Sequence, residues 1–287
     1  METKVLITGG RGYLGVSLQN YLRNLDIPFV VGTRDSENML GGEVAIDYTS
    51  EKSIKAALTD VTHIAHLASV AHTKAPASAY RDGIVKATEM LAKQALGAGV
   101  RRFLYASSIK AFGEGAAKTL NEDSPCCPIT SYGVAKLEAE LILREVFGEQ
   151  SPKINIVRFP PLYGGQEKGS IKYLRAAARL GVPLPLGGAV NKRTLLSVTK
   201  AAQLVGELLM DGGPTLICPH ESAVTPLALY SNLCECVGRD GPPLLSKLGF
   251  GSWFYQLLAN TSLIGPLFQS FEVSSKYRSK YSHILDS

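Results

Sequence analysis

The segment Thr8-Gly9-Gly10-Arg11-Gly12-Tyr13-Leu14-Gly15 restricts the fold more than any other stretch of the chain. It follows a short apolar run, Lys4–Thr8, that reads as a buried strand. It opens an amphipathic stretch, Gly12–Asn24, with Leu14, Leu18, Tyr21, Leu22 and Leu25 on one stripe. Glycines 10, 12 and 15 fit G-x-G-x-x-G, and Thr8 with glycines 9, 12 and 15 fits T-G-x-x-G-x-x-G. Glycine in such a loop permits a tight turn and lets backbone N–H groups approach a pyrophosphate at a helix N-terminus. Between a strand and a helix, at the head of an α/β pattern, the loop predicts a dinucleotide site involving Gly9, Arg11, Gly12, Tyr13 and Leu14.

The pattern continues. Phe29–Val31, Val44–Ile46, Val61–Leu67, Arg102–Ala106 and Ile154–Val157 read as further strands. Ile54–Leu58, Ser78–Ala98 and Thr130–Phe147 read as helices, the last two ended by Gly99 and Gly148. Strands alternating with helices imply parallel pairing, right-handed crossovers and helices on both faces, which is a doubly wound, Rossmann-like α/β fold. After Phe159 proline and glycine become frequent, around a short helix at Ile171–Leu180. Thr194–Val198, Ala201–Met210 and Thr215–Cys218 return to the sheet layer, and beyond Thr225 the chain reads as helix and loop. The expected division is therefore residues 1–158 and 194–221 as the dinucleotide-binding domain, with 159–193 and 222–287 as a smaller substrate lobe.

Composition narrows the functional classes. Hydrophobic residues are 45% and charged residues 19%, which is globular rather than disordered, and the net charge of +5 is too mild and dispersed for a nucleic-acid footprint. No apolar run is long enough to span a membrane, and Met1–Thr8 leads directly into a strand pattern rather than a secretion leader. The five cysteines, at 126, 127, 218, 234 and 236, match no usual zinc spacing. They read as reduced thiols in a cytoplasmic protein, and no metal is expected.

The end of the second strand should meet the adenosine ribose, where an acid binds a 2′-hydroxyl and an arginine accommodates a 2′-phosphate. Thr33 stands where the acid would be, followed by Arg34 and Asp35. Arg34 with Arg11 favours NADP(H), since guanidinium suits phosphate, while Asp35 keeps NAD open. Further on, Ser108 follows the fifth strand, and Tyr132 and Lys136 lie four apart on one helical face. A nearby cation favours phenolate and brings a tyrosine toward proton exchange near neutrality. Ser108, Tyr132 and Lys136 are the candidate catalytic residues.

These motifs resemble the extended short-chain dehydrogenase/reductases of the NAD-dependent epimerase/dehydratase family, and within it bacterial nucleotide-sugar 4-epimerases and 4-ketoreductases. The resemblance covers nearly the whole chain. It includes Asp47, His66-Leu67-Ala68-Ser69, Ser107-Ser108, Ser131-Tyr132-Gly133-Val134-Ala135-Lys136, Arg158-Phe159-Pro160-Pro161-Leu162-Tyr163-Gly164, Asn191-Lys192-Arg193 and Val273-Ser274-Ser275-Lys276. It implies that Asp47 and Tyr48 flank the adenine, that Leu67 and Ala68 line the cofactor, and that Pro160 and Leu162 lie by the nicotinamide. It also implies that Ser107, Ser108, Ser170 and Arg193 meet the substrate, Arg193 through the diphosphate. Departures from the family pattern are Ile84 for Asn, Ala87 for Gly, Ser170 for Asn, Thr199 for Asp and Ala111-Phe112 for Val-Tyr. The expected activity is NADP-dependent reduction of a 4-keto nucleotide sugar for a surface polysaccharide. The alternatives are a UDP-sugar 4-epimerase that retains NAD, and a non-catalytic NADP-binding sensor or scaffold. A homodimer is the expected assembly.

Overall fold

The computed structural model of the chain describes residues 2–70, 75–113, 119–148, 153–164, 170–259 and 268–286. Its centre is a seven-stranded parallel sheet ordered β3-β2-β1-β4-β5-β6-β9. The strands are β1 (Val5–Thr8), β2 (Phe29–Thr33), β3 (Glu43–Ala45), β4 (His63–His66), β5 (Arg102–Ser108), β6 (Lys153–Phe159) and β9 (Leu216–Ile217). Every residue of β1 and β4 is buried. Helices cover both faces of such a sheet, so its strands need continuous apolar runs rather than alternation.

On one face α1 (Tyr13–Asn24) and α7 (Val198–Asp211) pack together, joining Leu14, Leu18 and Leu22 to Leu204, Val205 and Leu208 in one core. On the other face α2 (Glu51–Ala57), α4 (Ala87–Gly97) and α5 (Ser131–Phe147) bring Ile54, Leu91, Ala95, Ala139 and Leu143 against Ile64, Phe103 and Ile156. The chain builds outward from β1 to β3, then returns to place β4 against the other side of β1, with Thr8 opposite His66. The crevice at the carboxyl ends of β1 and β4 is thus the topological switch point, where ligands of open α/β sheets bind.

Two local expectations are corrected. The long helix predicted over Ser78–Ala98 is interrupted: α3 (Ala77–Tyr80) passes into a π-helical stretch, Arg81–Lys86, before α4 resumes. Hydrophobic periodicity cannot report one extra residue per turn, since apolar positions still fall on one side. The expected return of Thr194–Val198 to the sheet layer is not made in the main sheet: the segment holds only β8 (Leu196–Ser197). It pairs with β7 (Leu162–Tyr163) in a separate two-stranded sheet, because Val198 already begins α7. A further core gathers Ile171 and Leu174 of α6 (Ser170–Leu180) with Leu186, Leu195 and, from α8 (Pro226–Cys236), Leu229, Tyr230 and Leu233. The remaining helices are α9 (Ser252–Ala259) and α10 (Ser282–Leu285). Among the described residues no helix is long and apolar enough to cross a membrane.

Candidate active site

A cleft of about 610 Å³ lies over the switch point. Its walls bring together Gly9 to Gly15, Arg34, Asp35, Tyr48, Leu67 to Ser69, Ser107, Ser108, Tyr132, Lys136, Pro160, Leu162 and Arg193. Two expected residues are not in that lining. Asp47 is exposed, and its carboxylate accepts from the N–H and hydroxyl of Thr49, which hold it below the usual carboxylate range. Ser170 opens α6, and its side chain lies outside the described residues.

The glycine loop is seated against the end of β4. Gly9 has φ +70°, and a Cβ there would lie 2.7 Å from the Ala68 nitrogen and 2.9 Å from the Leu67 carbonyl carbon. Only glycine permits this approach without strain. The Gln19 side-chain amide donates to the Gly10 carbonyl at 2.9 Å, and the Gly12 N–H donates to the Gly9 carbonyl at 2.9 Å. The loop's carbonyls are therefore turned inward. The N-cap of α1 is Gly12, which has no side chain to cap with, so the first amides of the helix open on the cleft. The Ser69 hydroxyl is buried in the cleft wall beside Tyr132, whose phenol it acts to lower. A glycine cradle and a helix N-terminus without a side-chain cap together suit a bound dinucleotide.

At the other end stand the candidate catalytic residues. Ser108 ends β5, and its Oγ accepts from the Lys110 N–H at 3.2 Å, starting a 3-10 turn. Thr130 caps α5 by accepting from the Gly133 N–H at 3.2 Å. A Cβ on Gly133 would lie 2.5 Å from the Lys110 carbonyl, so the absence of one lets the start of α5 press on the turn after Ser108. This sets Tyr132 beside Ser108. Burial pushes the Tyr132 phenol up to about 12, and the Ser108 hydroxyl acts in the opposite direction.

Lys136 is 2% exposed, donates to the Ala106 carbonyl at 2.7 Å, and lies over the rings of Tyr105 (4.7 Å) and Tyr132 (5.9 Å). Burial lowers its ammonium to about 7, while Glu140 acts to raise it. Glu140 is four residues after Lys136 and fully buried. It accepts from the Ser107 hydroxyl, and from Arg158 through Nε (3.0 Å) and Nη2 (2.6 Å). Ser107 thus spends its hydroxyl on Glu140 rather than presenting it to the cleft. Sequence reasoning did not single out Glu140, although its i,i+4 spacing from Lys136 was a readable signal. It placed Ser69 only at the end of the His66–Ser69 motif, without a role, and passed over Tyr80, whose ring meets that of Tyr132 edge-on at 6.0 Å.

His66 is a further buried polar group of the site's floor. Nδ1 pairs with Thr8 Oγ1 at 2.7 Å and Nε2 with Thr88 Oγ1 at 3.1 Å. Burial, with a smaller contribution from Lys136, depresses the imidazole to about 3. Arg193 is 9% exposed, bridges through its backbone N–H to the Val224 carbonyl at 2.9 Å, and reaches the Gln269 carbonyl at 3.4 Å.

Arg11, which the sequence pairs with Arg34 around a phosphate, has acidic partners in the structure. Arg11 is engaged by acids: Nε donates to Glu43 Oε1 at 2.8 Å, Nη2 to Glu43 Oε2 at 2.6 Å and Nη1 to Asp35 Oδ2 at 3.1 Å. Glu43 comes from the distant β3, so no local motif could announce it.

Residues 5–211 match the profile of the family described as "NAD dependent epimerase/dehydratase family". The chain is 32% identical over 219 residues to UDP-glucose 4-epimerase of Vibrio cholerae, an alignment covering 71% of this chain and 66% of that one. The chain thus spans just under two thirds of that relative's length. Among solved structures, UDP-N-acetylglucosamine 4-epimerase from Bacillus cereus superposes with a TM-score of 0.81 at 24% identity, covering 98% of this chain and 93% of that one. MoeE5, in complex with UDP-glucose and NAD, superposes with a TM-score of 0.74 at 24% identity, covering 99% and 92%.

Proposed function

This chain belongs to the NAD dependent epimerase/dehydratase family, and from that premise we propose that it catalyses oxidation and reduction at C4 of a nucleotide-linked sugar, with 4-epimerisation of a UDP-sugar as the leading reaction. The observation that carries the reading is the convergence of Ser108, Tyr132 and Lys136 on the same cleft as the glycine loop. The similarity to UDP-sugar 4-epimerases supports it.

A nicotinamide dinucleotide bound in the cleft would supply the hydride acceptor and donor for the sugar carbon. Its pyrophosphate suits the α1 N-terminus and its ribose suits Lys136. Tyr132 is the proton carrier, taking the proton of the 4-hydroxyl as C4 is oxidised and returning it as C4 is reduced from the other face. Ser108 donates to the same sugar oxygen. A protonated Lys136 beneath the Tyr132 ring stabilises phenolate and offsets the effect of burial on the phenol. Arg193 pairs with the diphosphate of the substrate, and the separate core built on α6 and α8 supports the part of the chain that holds the sugar. The second reading, 4-keto reduction with NADPH, is favoured by Arg34 in the cleft wall, since guanidinium there suits a 2′-phosphate.

The deciding experiment incubates the purified chain with UDP-glucose or UDP-N-acetylglucosamine and resolves the C4 epimers by nuclear magnetic resonance. Epimer formation with no net change in absorbance of reduced nicotinamide supports the epimerase. One equivalent of NADPH consumed per product from a 4-keto-6-deoxy nucleotide sugar, with no epimerisation, supports the reductase instead.

A further inference from the structure

The corner of the cleft beneath the end of β2 holds two arginines and two acids, and how they pair decides what the corner can bind. Glu43 is the unusual member. Its side chain is 6% exposed, yet it belongs to an edge strand. It accepts a two-pronged contact from Arg11 and a third bond from the Leu40 N–H at 2.8 Å. The Arg11 guanidinium first, and then the Leu40 N–H, hold the Glu43 carboxylate down at about 2.

A guanidinium has five N–H donors in a fixed plane. In Arg11, Nε serves Glu43, Nη2 serves Glu43 and the Asn38 carbonyl, and Nη1 serves Asp35. Four of the five are thereby used. A phosphate dianion needs a two-pronged fork and finds one N–H, next to two carboxylates. An uncharged ribose carries no such requirement, and Asp35, itself in the cleft wall, is an acceptor of the kind a 2′-hydroxyl needs.

We propose that Glu43 sets the dinucleotide selectivity of this chain: by clamping Arg11 together with Asp35, it withholds that guanidinium from a 2′-phosphate and leaves a corner suited to the unphosphorylated ribose. The inference rests on the reading of the cleft as a dinucleotide site. It places a selectivity determinant on β3, outside the glycine loop and outside the end of β2.

The test is calorimetric titration of the full chain with NAD and with NADP, with no substrate present. Wild type should bind NAD at least ~10-fold more tightly than NADP. Glu43→Gln, which keeps the shape and removes the charge, should improve NADP binding ~10-fold or more relative to NAD, the scale of one charge-assisted contact. Glu43→Ala should move the ratio the same way, and thermal melts report whether either variant is folded. Adding Arg11→Ala to Glu43→Gln should abolish the gain. A wild type that prefers NADP overturns the inference by itself, whatever the variants do. So does an unchanged ratio in a folded Glu43 variant, or a gain that survives without Arg11. Binding of neither dinucleotide would remove the underlying site reading, whereas binding of both with an indifferent ratio removes only the role of Glu43.

Discussion

At Lys136 burial and a neighbouring carboxylate act in opposite directions. Enclosure in the site floor lowers its ammonium to about 7, and Glu140 pulls the other way. Any partner that accepts from Nζ favours the charged form. In the proposed mechanism Tyr132 depends on that cation. Tyr132→Phe removes only the hydroxyl, so dinucleotide binding measured by calorimetry should persist while turnover falls by at least ~10²-fold, the scale of a general acid. A variant that keeps more than a tenth of the rate on an identified substrate would remove Tyr132 from the proposed role. Tyr132, Lys136 and Ser108 were legible because their spacing expresses local geometry: a helical i,i+4 pair and a strand end. The partners of Arg11 and Ser107 were not, because Glu43 and Glu140 reach them across the sheet and the helix layer. Sequence shows that a side chain can pair with an acid; it does not show which acid the fold delivers.

Among the elements, α5 is tied to the strands it crosses by a buried ion pair. Arg158 of β6 is 3% exposed, Glu140 of α5 is 1% exposed, and the guanidinium also lies 4.4 Å from the Phe112 ring centroid. Arg158→Met would leave the Glu140 charge buried without its partner, at a cost of about 3–5 kcal/mol in urea unfolding. Replacing both residues with apolar side chains should recover most of that loss. The glycine loop offers a sharper contrast. Gly9→Ala adds a Cβ 2.7 Å from the Ala68 nitrogen at φ +70°, and should abolish dinucleotide binding and lower the melting temperature. Gly97→Ala, where a Cβ meets nothing within 4 Å, should stabilise α4 by about 0.4–1 kcal/mol. The order of helices and strands was readable because apolar periodicity survives in each. The π-helical stretch at Arg81–Lys86 and the detour of β7 and β8 into their own sheet were not, since both are set by what packs against them.

For the molecule as a whole, the buried histidines make stability depend on acid. His66 is depressed to about 3 and His63 to about 4, in both cases first by burial. Unfolded, each takes up a proton near 6.5; folded, each resists until far lower pH. The unfolded chain therefore binds more protons between those values, so stability is full above pH 6.5 and is lost as pH falls toward the folded values. Each such histidine contributes a slope of about 1.4 kcal/mol per pH unit in that window. Urea unfolding from pH 6.5 to 5 should show the decline, and His66→Gln should flatten it by about one histidine's share. An unchanged slope would mean that His66 is protonated in the native state.

The packing of α1 against α7 has a consequence for how the chain comes off the ribosome. Leu14, Leu18 and Leu22 emerge early, but Leu204, Val205 and Leu208, which cover them, are made only after most of the chain. At ~5–20 residues per second that interval is on the order of 10–40 s. Throughout it, the nascent sheet carries one finished face and one bare one. The glycine loop stands at the head of the bare helix. The glycine loop is thus anchored by an element made long after it, and a nascent chain halted before α7 should be bound by chaperones along α1.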